Sequence, residues 1–135
     1  MSSIFDFIAR YMSFLWTDGR FWVVGSPPGT AFQSNAVLVV ESTNLRLRFT
    51  CDRSQLFLEL QPTATELPRE WYSIDLVRRL FSGDREFSSI LDSTFAEFLR
   101  DNLGWVEIRF DSTNWPATRV EMRKLATRRS KELFG

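Results

Sequence analysis

The chain contains no histidine and a single cysteine, Cys51, among its 135 residues. An intramolecular disulfide is therefore impossible, and a zinc site of the Cys/His kind has no ligand set. Without imidazole, general acid–base chemistry falls to carboxylates with raised pKa. The nearest carboxylate sets, Asp84 with Glu86 and Asp92 with Glu97, lie on a connection or on helix positions expected to face solvent. The Gly-x-Ser-x-Gly elbow of serine hydrolases is missing, as is an Asp-rich, glycine-containing loop for a hard cation. The one Gly/Pro-rich loop, Gly25-Ser26-Pro27-Pro28-Gly29, is not followed by the Lys-Ser or Lys-Thr pair of a phosphate cradle. Cys51 closes an apolar alternation and reads as a small buried hydrophobe, with no histidine in the chain to activate it. The expectation is a protein that is not an enzyme, with no catalytic, metal or cofactor-binding residue.

No apolar run approaches the ~20 residues of a membrane span. The apolar N-terminus is broken by Asp6 and Arg10, and it has neither the basic region nor the small-residue cleavage site of a signal peptide. The cysteine usage fits a reducing, cytoplasmic setting. Charge of one sign is lacking too: 17 basic and 17 acidic residues cancel. The molecule as a whole has no field to draw nucleic acid or an anionic membrane, so both are unlikely partners. The balance is uneven. Residues 116–135 hold six basic and two acidic side chains, a local excess of +4 set against −4 in the remainder.

Large apolar side chains are plentiful, with 13 Phe and 5 Trp. A chain of this length reads as one domain, 1–135, able to bury a core without staples. Ala36–Gln61 holds three short apolar runs separated by turn residues. In the second run Leu45, Leu47, Phe49 and Cys51 share one side; in the third Leu56, Leu58 and Leu60 do. Antiparallel partners must place these sets on the same face, so paired positions sum to an odd number. With Asp52-Arg53 as the loop, Phe49 faces Leu56, Leu47 faces Leu58, and Arg46 faces Glu59. By the same logic Ser42-Thr43 turns the first hairpin, with Val40 opposite Leu45. The wet face then carries Arg46, Arg48, Phe57 and Glu59, the candidate partner-binding residues.

Around this meander the periodicity predicts a helix over 3–16, a short strand over 21–24, helices over 71–81 and 88–103, and a last helix opened by Pro116. Gly83 and Gly104 act as stops. Residues 105–110 alternate Val106, Ile108, Phe110 against Glu107 and Arg109, which favours a strand over a continued helix. The fold class is α+β, an antiparallel meander of three to five strands with about four helices. The last helix, with a narrow apolar stripe of Ala117, Val120, Leu125 and Ala126, reads as a basic helix clasping an acidic body.

Several motifs together resemble a known group. Val40-Glu41-Ser42, then Leu45 to Phe49, then Cys51-Asp52-Arg53-Ser54 with Phe57-Leu58-Glu59-Leu60 form the first part. Glu70-Trp71-Tyr72-Ser73-Ile74-Asp75 and a basic helix closing on Glu132-Leu133-Phe134-Gly135 complete it. From about Ser34 onward the chain is similar to small bacterial proteins found in the gene neighbourhoods of polymorphic toxins. The resemblance implies a cytoplasmic immunity-type protein that neutralises a cognate toxin by binding it, and it carries over no catalytic residue. A homo-oligomeric interaction module and an RNA-associated protein using the basic helix are the alternatives.

Overall fold

The computed structural model describes residues 2–17, 19–25 and 36–134. Among these, five strands form one antiparallel sheet in sequence order: β1 (Trp22–Gly25), β2 (Ala36–Glu41), β3 (Leu45–Asp52), β4 (Gln55–Pro62) and β5 (Tyr72–Ser73). The helices are α1 (Ser2–Tyr11), α2 (Phe14–Thr17), α3 (Ile74–Ser82), α4 (Ser93–Arg109) and α5 (Trp115–Phe134). This is an α+β fold. Of the 25–29 loop, residues 26–29 lie outside the described residues, as does Asp18.

β2 and β3 alternate strictly between buried and half-buried positions, the mark of a sheet with one dry face. Leu38, Val40, Leu45, Leu47, Phe49, Leu58 and Leu60 lie on that face and are almost fully enclosed. α1 covers it through Ile4 and Ile8, packing on β3 and α4, while Phe95, Leu99 and Val106 of α4 fill in beside it. The helix expected over 3–16 is two pieces, α1 and α2, separated at Met12 and Ser13.

Leu47 and Leu58 share a face as expected, but they are not opposite each other. Leu47 pairs with Leu60 and Phe49 with Leu58, so Arg48 faces Glu59 and Arg46 faces Gln61. The turn is Arg53-Ser54, with φ of +52° and +68°, one residue later than Asp52-Arg53. The first hairpin moves the same way: Ser42 N–H donates to the Leu45 carbonyl at 2.7 Å, and Val40 pairs with Leu47. Moving a two-residue loop by one position shifts the register by two. Such a shift leaves every side chain on its original face, so hydrophobic pattern cannot detect it.

Residues 105–109 belong to α4, and Phe110 is its C-cap. Val106 and Phe110 are four apart, a spacing that suits a helix as well as a strand, and both are buried. Ile108 decides between them: it is 59% exposed, where a strand would have turned it inward. The helix is interrupted at Asn102, which leaves helical φ/ψ and donates its side-chain N–H to the Phe98 carbonyl at 2.9 Å. α4 also starts later than expected. Asp92 caps it, accepting from the Thr94 and Phe95 amides at 3.0 and 3.1 Å. Thr94, next to the cap, is exposed. Residues 72–73 are taken by β5, so α3 begins at Ile74, and it stops at Gly83 in a left-handed C-cap with φ of +78°.

Two outcomes follow for stability. Leu58→Ala removes a fully enclosed side chain and should cost roughly 2–5 kcal/mol in urea unfolding. Arg53→Asn with Ser54→Gly places left-handed-tolerant residues where both φ are positive, and should raise stability by about 1 kcal/mol. If the turn lay on Asp52-Arg53, the pair of changes would bring no gain.

Candidate functional site

The outer face of the sheet is where the four candidate residues lie, and the register decides how they are used. Arg48 and Glu59 are cross-strand partners joined at 2.5 Å. The Arg48 guanidinium also stacks on the Trp71 ring, 4.4 Å from its centroid. Arg46 is fully occupied: Nε donates to Glu41 at 2.8 Å, Nη1 to the Gln61 side chain at 2.7 Å, and Nη2 to the Thr63 carbonyl at 3.4 Å. Gln61 is completely buried. Its amide donates to the carbonyls of Pro68 and Glu70, both at 3.2 Å, and so ties the 63–70 loop to β4. Arg46 is therefore part of the scaffold. Phe57 and Glu59 are the two candidates that face an open space.

That space is a cleft of about 840 Å³ over the outer face of β3 and β4. Thr50, Phe57 and Glu59 supply its floor. One wall is the 86–90 segment, which meets β4 on the edge that β5 also occupies: Ile90 bridges to Phe57, and the Leu91 amide donates to the Leu56 carbonyl at 2.7 Å. The other wall is the C-terminal half of α5, through Ala126, Arg129, Ser130, Leu133 and Phe134. The rim is strongly apolar. Phe87 is 86% exposed, Phe134 85% and Leu133 62%. Single exposed hydrophobes are ordinary, but several around one concavity mark a contact surface.

Ion pairs hold these walls. Arg129 donates from Nη1 to Ser73 at 2.7 Å and to Asp75 at 2.9 Å. Arg79, enclosed in the core, forks onto Glu132 at 2.8 and 2.9 Å. Arg119 forks onto Glu70 at 2.8 and 3.0 Å. Arg78 forks onto Glu86 with both contacts at 2.7 Å, and covers the Phe95 ring. α5 is thus clasped to the body as its charge suggested, yet its buried seam is Thr118 and Met122 with Leu125, Ala126 and Arg129 half-buried. Ala117 and Val120, expected in the stripe, face outward.

The carboxylates expected to be solvated divide. Glu86 is engaged by Arg78 and Asp92 is a helix cap, while Asp84 and Glu97 are exposed. Among the described residues no group of three or more metal-ligating side chains converges, and no helix is long and apolar enough to cross a membrane. Cys51 is buried, as its place on the apolar face required.

Sequence reasoning located Phe57 and Glu59 but missed Phe87, Ile90, Leu133 and Phe134. Phe87 carried a signal that could have been used: a large aromatic between charged residues and two serines, in a connection with no apolar periodicity of its own. The chain was compared with protein-family models, with curated proteins and with solved structures. None matches it.

The forks also set an acid limit. The Arg119 hydrogen bond holds the Glu70 carboxyl below its ordinary value against the opposing effect of burial, with help from the Tyr72 hydroxyl. The Tyr72 phenol is raised by burial and by that same hydrogen bond. The Arg79 hydrogen bond likewise lowers Glu132. Carboxyls with depressed folded pKa contribute stability above the unfolded value and lose it as pH falls through the folded one. The melting temperature should therefore drop below about pH 4.5, the unperturbed glutamate value. Glu70→Gln should make that drop shallower. An identical acid limb in the variant would show that the Arg119–Glu70 fork carries no part of it.

Proposed function

We propose that this chain is a non-catalytic, cytoplasmic protein-binding domain, an immunity-type inhibitor that neutralises a cognate bacterial toxin by direct contact. The observation that carries the reading is the cleft over β3 and β4, open and rimmed by Phe87, Leu133 and Phe134. Exposed aromatics around a concave, partly dry surface are the usual anchors of protein–protein contact. The charges lining it favour the same reading. Glu59, Asp75 and Glu86 are each held by an arginine, so their oxygens are already engaged in contacts within the chain. A surface of satisfied ion pairs and bare phenyl rings suits recognition better than proton transfer.

The partner-binding set in this reading is Phe57 and Glu59 on the floor, with Arg48 held by Glu59 beside them and Arg46 fixing the strand behind. Coexpression with the product of the adjacent gene should give a 1:1 complex and cell survival. Phe57→Ser should weaken that complex by about 2 kcal/mol, roughly 30-fold, with the melting temperature little changed. The reading fails if the adjacent product forms no complex, or if Phe57→Ser and Phe87→Ser together leave the affinity intact.

A further inference from the structure

The six basic residues of α5 fall into two groups. Arg119 and Arg129 turn inward onto Glu70 and Asp75. Arg123, Lys124, Arg128 and Lys131 are exposed, and none of them takes part in an ion pair among the described residues. The two acids of the helix make their direct contacts with other arginines. Glu121 is held by Arg109, and Glu132 by Arg79 and Arg85. A chain of zero net charge therefore presents one helix face with four cations outside any direct ion pair; Arg123 and Arg128 lie within the field of Glu70 and Glu132, and Lys124 and Lys131 are the two at its centre.

The spacing on that face is regular. Val120, Lys124, Thr127, Lys131 and Phe134 follow one another in steps of four, three, four and three, and all are exposed. This is the interval at which one helix offers a seam to another. Lys124 and Lys131, the two lysines of the sequence, both lie in it. We infer that the outward face of α5 is a docking surface for an acidic amphipathic helix of a protein partner. Apolar side chains of that helix meet Val120 and Phe134 at the two ends. Its carboxylates meet Lys124 and Lys131 between them, with Arg123 and Arg128 on the flanks.

Charge sets the choice of occupant. A second copy of the same face would bring four cations against four, a repulsive arrangement. Nucleic acid fits less well. The cations span about 12 Å of helix, and aromatic side chains are not interleaved with them as stacking platforms require. The surface shares Phe134 with the rim of the cleft but not the Phe57 floor, so a change at Phe57 separates the two.

The test uses the full chain and a fluorescein-labelled 21-residue alanine-based helical peptide, with Glu at the central seam positions and Leu at the seam ends. Its Lys-for-Glu counterpart, a 20-nucleotide single-stranded RNA and phosphatidylserine-containing vesicles serve as competitors. At 50 mM salt the Glu peptide should bind at least tenfold more tightly than the Lys peptide. Lys124→Glu with Lys131→Glu should reverse that preference, whereas Phe57→Ser should leave it unchanged. Lys124→Gln with Lys131→Gln, which should abolish the preference, serves if the Glu pair lowers the melting temperature. Failure of the Glu peptide to bind, tighter binding of RNA or vesicles, or a lysine variant that keeps the original preference overturns the inference.

Discussion

Five side chains on two neighbouring strands, Leu45, Leu47, Phe49, Leu58 and Leu60, are withdrawn from water together. Each aliphatic side chain so enclosed contributes on the order of 1.5–3 kcal/mol. Their position on alternate residues obliges the intervening ones to face the other way. Arg46, Arg48, Thr50, Phe57 and Glu59 are on the outer surface because the leucines are inside. The sheet's dry side takes α1 and α4, and its outer side is left to be shaped by the 86–90 segment and the end of α5. The cleft is thus a by-product of which side the core occupies.

The second organising influence is arginine. Fifteen of the 17 basic residues are Arg, and every ion pair described above uses a guanidinium. A planar fork can hold both oxygens of a carboxylate at once, which fixes orientation as well as proximity. This explains how a helix with only a narrow apolar seam stays seated. Arg119 at one end of α5 and Arg129 with Glu132 at the other pin it to the 70–79 region. The lysines, compact and strongly hydrated, stay on the side turned to water.

The strands, the faces of the meander and the inward course of Cys51 could be read from alternation, because period two admits few alternatives when one side must be dry. Register could not, since a slip of two preserves every face and only the dihedrals of Arg53 and Ser54 separate the options. The end of α4 was misread because Val106 and Phe110 satisfy both periods. Half of the candidate set proved to face the cleft. Arg46 looked available for contact because its three acceptors, Glu41, Gln61 and Thr63, come together only when the strands pair. The rim residues were hidden for a related reason. Phe87 and Phe134 become neighbours of Phe57 through packing between segments far apart in sequence, which no local pattern encodes.

Gln61 shows how this arrangement couples one segment of the chain to another. Its carbonyl is claimed by Arg46 across the strand and its amide by two carbonyls of the following loop. The loop and the β3–β4 pairing therefore share one buried side chain. Pulling β3 away from β4 takes the guanidinium from the Gln61 carbonyl and loosens the hold of its amide on residues 63–70, so a disturbance at Arg46 is felt in the loop.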